Sequence, residues 1–600
     1  MTQLIRQNLY LSSLNKFNPQ LAQEIKLRIK LKSFLALIFK AFAWQFALVI
    51  LALGKLPDII KNVDPPFAEP EQFSRYCTGA TGKFLPNQQQ LLCIQDLNNH
   101  WLINWQLFWF DIFAIISAVS IALLIGFGTY LIVNNLRREQ QQGNLTLITL
   151  APQPAIQFFL GKILGVPILL YGFLAMGLPL HLVAGLLAGI HLSLILTFYL
   201  AIIASCSFFY SLGSFFAYRT SSSSKTRNHL ATIIPIAIAG FLLLTTSLNH
   251  NIYSQNFGNV GDWLLLFNPL NLILYLGQIT ALPVHYFSYL PFDFLSVISS
   301  HPELDQFQQS NVIGLANISF YGQSLQRSIG LGLGVVIANF LMGAYWFWQG
   351  IKRCFYNPEQ SPISKEHSYW LSLQVGFFAL GLTLNTNQSP TFINNFGWLI
   401  CLLAIFSLIL IFSLSPGHYQ LRDWIHNRKT NFYGQNSLGK DLVFGESSPA
   451  NLAIAINLII IACFVAPSLI IFPIGNQAFS ILSKITLQLS LLFLFATLWQ
   501  WLKLKYHQNQ FKNKSLLLLG AFVPVVIATN LTFLSPAIIP GFISLAIGII
   551  TQWLAIILIT GKTMKMLLAN NKQIPTSKIR GSKKQLNPVA IANQQKEQNS

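Results

Sequence analysis

Long apolar runs alternate with short polar segments along most of the chain. Runs at 34–53, 107–133, 160–182, 191–217, 231–248, 329–350, 370–387, 394–414, 451–473, 485–502, 516–535 and 538–561 approach or exceed the roughly 20 residues that carry a helix across a hydrocarbon core about 30 Å thick. Lipid offers no partner to backbone N–H and C=O groups, so each run is expected as a helix with its hydrogen bonds closed internally. The pattern predicts an all-α, polytopic membrane protein with about 12 transmembrane helices. Six runs fall on each side of a polar linker at 351–369, which predicts two six-helix halves, 34–350 and 370–561.

The polar segments carry their own patterns. In the first 33 residues, Leu14, Phe17, Leu21, Ile25 and Ile29 recur at helical spacing among Lys16, Lys26, Arg28, Lys30 and Lys32. That predicts an amphipathic helix lying in the membrane interface. Met1–Lys32 lacks the short apolar core of a cleavable signal. Two long loops, 54–106 and 249–328, lie on the opposite side. The second contains an apolar stretch, Trp263–Pro283, broken at Asn268-Pro269. A full crossing would bring Asp293, Glu303 and Asp305 to the basic side, so a re-entrant hairpin with its break at Asn268 and Pro269 is expected. The polar, basic tail 562–600 is expected to be disordered.

Composition agrees: 53% of residues are hydrophobic and 9% charged, against about 25% charged in soluble domains. The net charge of +20 does not indicate a nucleic-acid partner. With the N-terminus inside, 31 of the 38 Lys and Arg residues fall in cytoplasmic segments, including the tail. This is the positive-inside bias, and it places both termini in the cytoplasm. Of the six cysteines, Cys77 and Cys93 share the 54–106 loop; a disulfide and two free thiols are both compatible with the sequence. No metal-ligand spacing occurs.

Candidate chemistry is sparse. Asp111, His181 and His191 lie near the outer ends of spans and read as satisfied interfacial residues. No nucleophile–base or metal cluster appears, so the chain is not expected to be an enzyme. Gly561-Lys562-Thr563 resembles the end of a P-loop, but Ile556 stands where the first Gly is needed. No cofactor is expected to bind directly.

The polar island 134–162 is the most structured interruption. Leu136–Gln142 is expected to prolong the second span beyond the membrane, and Gly143 to end it. Asn144 can cap a short turn, Leu145–Leu150, whose Leu145/Ile148 and Leu147/Leu150 pairs share faces. Such a turn is too short to stand alone and needs a partner surface. Ala151-Pro152 stops it, Pro154 begins the next helix, and Gly161 and Gly165 permit close helix packing. Pro167 and Pro179 are placed to kink the third span.

The pattern R-R-E-x3-G-x-L-x-L-x4-P-x8-G-K resembles the coupling region of ABC-2 type transporter permeases. Its positions here are Arg138, Glu139, Gly143, Leu145, Leu147, Pro152, Gly161 and Lys162, with Asn144 where that family usually has Thr. The amphipathic N-terminal helix and the Asn268-Pro269-Leu270 hairpin are also similar, so the resemblance covers residues 1–350. The whole chain is similar to a cyanobacterial ABC permease-like group in Asn18–Leu21, Ile103–Gln106, Gly161–Pro167 and Gly445–Pro449. In the second half, the cytoplasmic island 415–450 holds Lys440, Asp441, Glu446 and Pro449 as a degenerate counterpart of the coupling region.

The resemblance implies a permease subunit, an exporter, in a bacterial inner membrane. Its energy would come from ATP bound by a separate ABC ATP-binding subunit. The lipid membrane and a second permease copy are the other partners it implies. The alternative is a membrane structural or assembly factor that keeps the fold without transporting.

Overall fold

The computed structural model describes residues 18–57, 73–74, 76–77, 84–85, 90–93, 101–143, 154–219, 233–245, 262–279, 319–321, 323–324, 329–356, 360–383, 389–417, 420–421, 423–424, 438–471, 477–505 and short pieces between 550 and 561. Nearly all of them are helical. Five described helices are long and apolar enough to cross a membrane: Leu31–Leu53, Trp105–Gln141, Ile168–Leu187, Leu192–Arg219 and Ile485–Lys503 within its longer helix. The expected twelve are not reached among these residues: the helices on the runs 231–248, 329–350, 370–387, 394–414 and 451–473 are not among the five. The run 516–535 lies outside them, and 538–561 is described only in pieces.

The helices begin and end where local chemistry requires. Helix α1, Pro19–Arg28, starts on Asn18, whose side chain accepts from the Leu21 N–H at 3.1 Å, with Pro at the first helical position. It stops at Ile29-Lys30, and α2 runs from Leu31 to Leu53. Helix α3 spans Trp105–Gln141 and is capped by Asn104, which accepts from the Leu107 N–H at 3.1 Å. At about 1.5 Å per residue its 37 residues are far longer than a membrane core of about 30 Å, so its last turns project beyond one. Gly143, with φ +75°, ends it, as Gly does past a helix C-terminus.

Within α3, Ala122–Gly128 is wound as a π-helix. There the Tyr210 hydroxyl donates to the Leu124 carbonyl at 2.8 Å, and a Cβ on Gly128 would run into that same hydroxyl. The predicted third span is two helices, α4 (Ala155–Gly165) and α5 (Ile168–Leu187), broken at Val166-Pro167. Pro167 has no N–H to give the Ile163 carbonyl, and the Tyr171 hydroxyl donates to it instead at 2.9 Å.

Helix α6 (Leu192–Arg219) packs along α10 (Ile329–Tyr356), with Gly343 and Gly350 lying under Phe208 and Phe215. Between them in sequence come α7 (Ile233–Thr245), α8 (Asp262–Leu266) and α9 (Asn271–Ile279). Helices α8 and α9 form a hairpin that turns at Asn268-Pro269. Asn268 is buried and donates to the Leu242 carbonyl at 3.1 Å and to Thr245 Oγ1 at 2.8 Å, tying the turn to α7. Trp263 Nε1 donates to Asn339 Oδ1 of α10 at 3.1 Å.

The remaining helices are α11 (Lys365–Thr383), α12 (Ser389–Leu414), α13 (Leu438–Phe444), α14 (Asn451–Ile471) and α15 (Gln477–Lys505). One large buried cluster draws on residues from Leu48 to Leu382, and two smaller ones on residues from Val375 to Trp499. In the loop before α3, β1 (Phe73–Ser74), β2 (Phe84–Leu85) and β3 (Gln90–Leu92) form a small antiparallel sheet in the order β1-β3-β2. Beside it Cys77 and Cys93 are joined by a disulfide, with Cα atoms 4.8 Å apart.

Closing a loop of this length is worth about 3 kcal/mol in the chain-entropy view. Alkylation of the denatured, unreduced protein should modify four of the six cysteines, Cys206, Cys354, Cys401 and Cys463. Reduction should raise the count to six, and six without reduction would contradict the pairing.

Candidate functional site

Lys162 lies on α4 and has no exposed surface. An ammonium taken out of water costs several kcal/mol unless its charge and its protons are matched. Two carboxylates match it here. Glu24 Oε1, from α1, is 2.5 Å from Nζ, and Glu139 Oε1, from the projecting end of α3, is its second partner. Arg28 Nε donates to the other oxygen of Glu24 at 3.1 Å, and the Phe158 ring lies 5.7 Å from Nζ. Two cations and two anions cancel within the cluster. Glu139 Oε2 is buried without a partner among the described residues.

Small residues make this meeting possible. A Cβ on Gly161 would come within 2.8 Å of Gln20, and one on Gly165 within 2.5 Å of Glu24. Asn18 Nδ2 adds a hydrogen bond to the Gln157 carbonyl at 2.7 Å. Helix α1 therefore docks through Asn18, Gln20, Ala22 and Glu24, all buried, while Leu27 and Ile29 stay exposed. Leu21 Cδ1 lies 3.4 Å from where a Cβ on Gly165 would be, so part of the apolar stripe expected in the interface packs on α4, while Ile29 of the same stripe is exposed.

The predicted coupling residues are thus divided. Glu139, Gly161 and Lys162 converge. Arg138 is exposed on the next position of α3, and Gly143 ends that helix. Leu145, Leu147 and Pro152 lie outside the described residues. Glu24 does not stand out in the sequence, although it is the sole acid among the first 53 residues and stands between basic neighbours.

The second island is built around a different lysine. Lys365, at the start of α11, is buried, and its Nζ donates to the Leu442 carbonyl at 2.9 Å, Ser448 Oγ at 2.6 Å and the Pro449 carbonyl at 3.0 Å. Glu446 receives Arg353 Nη1 at 2.5 Å and the Gln360 amide; the Arg353 hydrogen bond, against burial, holds its carboxyl below the usual range. Asp441 accepts from Trp424 Nε1 at 2.5 Å, and the Val443 carbonyl from the Tyr369 hydroxyl at 2.7 Å. Of the predicted set, Glu446 and Pro449 meet the linker directly, Asp441 lies beside them, and Lys440 is exposed. Lys365 and Arg353 are not among the predicted residues because nothing in the linker's local pattern marks them.

His181 also differs from expectation. It lies inside α5, buried, with Nε2 2.6 Å from Ser117 Oγ and Nδ1 2.7 Å from the Tyr199 hydroxyl. Its ring stacks on Phe113 at 4.2 Å. Asp111 is buried and accepts from the Tyr76 hydroxyl at 3.0 Å. Among the described residues no group of three His, Cys, Asp or Glu side chains is placed to hold a metal ion. No family model matches the chain, and neither a curated protein nor a solved structure matches it significantly.

Replacing Lys162 by Met leaves two carboxylates facing each other in the interior. The expected loss is about 3–5 kcal/mol, seen as a lower apparent Tm and folded yield in detergent. Glu24→Gln should cost less, because Glu139 still pairs with Lys162. Combining the two changes should recover at least about 1 kcal/mol relative to additivity; strict additivity would contradict the cluster.

Lys365 gives a pH signature. Burial pushes its pKa down to about 8, against the pull of Asp441 and Glu446. Below about 8 the folded and unfolded chains both hold the proton, and the buried charge counts against the fold. From about 8 to the ordinary 10.5 the fold releases the proton while the unfolded chain keeps it, so stability rises with pH. The stability of the wild type relative to Lys365→Met should grow across that window, and a constant difference in apparent Tm would contradict it.

Proposed function

We propose that the chain is the permease subunit of an ABC-type exporter, driven by a separate ATP-binding subunit. The observation that carries this reading is the Glu24–Lys162–Glu139 cluster. It ties the N-terminal helix, the projecting end of α3 and the start of α4 into one block. That block borders Asn144–Gln153, where the sequence resembles a coupling segment. A push delivered there would not be lost in a loose loop. It would be carried along α3, toward the π-wound turn that Tyr210 holds, and through Pro167 into α5.

In this reading the block and both termini face the cytoplasm, where ATP is available, and ATP binds only to the partner. The seven predicted runs that are not among the five long apolar helices would complete the twelve. The second island, held by Lys365 and Arg353, would stiffen the same side of the second half. The halves would act as a fused pair, or a second copy of the chain would complete the assembly.

Gentle solubilisation and affinity purification should recover a P-loop ATPase with the wild-type chain. Leu147→Asp places a charge on the face expected to enter the partner and should lower the recovered ATPase about tenfold, as a loss of roughly 1.4 kcal/mol in binding would, with unchanged membrane insertion. A wild-type chain that inserts normally and retains no ATPase, even when one encoded with it is added, would turn the reading to a structural or assembly factor.

A further inference from the structure

An open groove of about 1000 Å³ runs between α10 and α11, with Phe464 of α14 as its floor. One wall carries Val335, Ala338 and Met342, the other Leu373 and Phe377. Tyr345, Trp370 and Phe377 are about half exposed or more along its rim. Both helices coincide with predicted transmembrane runs, so what reaches this groove arrives from lipid. The far end is closed by Phe320, whose ring lies 5.7 Å from Phe378, and by Tyr321, whose hydroxyl donates to the Phe377 carbonyl at 3.0 Å.

The near end is polar. Glu366 is exposed, and no described cation pairs with it. The neighbouring lysine, Lys365, is committed to the second island. His367 lines the groove, and its Nδ1 is buried without a partner among the described residues. Trp370 stands beside them, 62% exposed. From Glu366 to Phe378 the helix rises about 18 Å, close to one leaflet's share of a core about 30 Å thick.

We propose that this groove binds one acyl chain of a phospholipid with a zwitterionic amine headgroup. The length of the apolar part fits a chain from a single leaflet. The polar end fits such a headgroup in charge: the carboxylate of Glu366 is exposed to accept the ammonium, and Trp370, one turn further along the helix, is exposed beside it. A purely anionic headgroup would meet Glu366 as a like charge. The site does not depend on the transport reading, because it is built by helices and aromatic rings away from Lys162.

The test uses the full chain in nanodiscs containing phosphatidylethanolamine with a diazirine on the acyl chain, compared with the phosphatidylglycerol form. After illumination, adducts should concentrate on peptides spanning 334–346 and 370–378, above the level on the exposed face of α2, and more with the amine lipid. Glu366→Gln should lower the amine-lipid adducts about tenfold, the size of a lost charge-assisted contact, and raise those of the glycerol lipid by removing the like charge; equal falls for both lipids would overturn the headgroup assignment.

Gly334 lines the groove and has open space where a Cβ would go, so Gly334→Leu fills the groove without a clash and should lower adducts from both lipids. Gly177 is similarly open on α5, and Gly177→Leu should change nothing. Uniform labelling of all lipid-facing helices, equal yields from the two lipids, or yields insensitive to Gly334→Leu would each overturn the proposal.

Discussion

A lysine with no exposed surface is tolerated only where its charge is returned by neighbours, and that requirement organises the first half of the chain. Lys162 reaches its carboxylates by drawing together residues separated by 138 and 23 positions. Each partner is supplied by a differently constrained element. Glu24 comes from a short helix started by Asn18 and Pro19, and Glu139 from the last turn of a helix that is too long for the membrane. The two glycines that flank Lys162 bring the backbones close enough for the ammonium to bridge them. Buried ion clusters are poor sources of net stability and strong specifiers of geometry, because a shifted partner leaves a charge stranded. The cluster therefore fixes where α1 sits on α4 rather than merely holding it there.

The second half meets the same demand with neutral acceptors. Two backbone carbonyls and a hydroxyl receive the three protons of Lys365, while the nearest full negative charges, Asp441 and Glu446, act at longer range. With less countercharge in contact, burial depresses the lysine's pKa. The two islands thus share a buried lysine and differ in what surrounds it.

Much of the architecture was legible in the chain. Hydrophobic run lengths give the helical class, and the end of α3 at Gly143 and the turn at Asn268-Pro269 stem from local residue chemistry. Lys162 and Glu139 stood out as charges beside apolar helices. What escaped the sequence was partnership at a distance. Glu24 looks like an ordinary solvated acid until α1 is laid on Gly161 and Gly165. Pro167 marked the break between α4 and α5, whereas the π-wound turn left no sign in run length, because the Tyr210 hydroxyl that holds it comes from another helix. His181 was misplaced for the same reason: its partners Ser117 and Tyr199 lie on two other helices.

The burial of Lys162 between α1 and α3 is the claim on which the rest turns, and its reactivity measures it. Amine acetylation of native membranes, read residue by residue by mass spectrometry, should modify the exposed Lys26, Lys30 and Lys32 while sparing Lys162. Glu24→Lys, which repels α1 from the site, should make Lys162 reactive. Acetylation of Lys162 in the wild type at the rate of those exposed lysines would contradict the account.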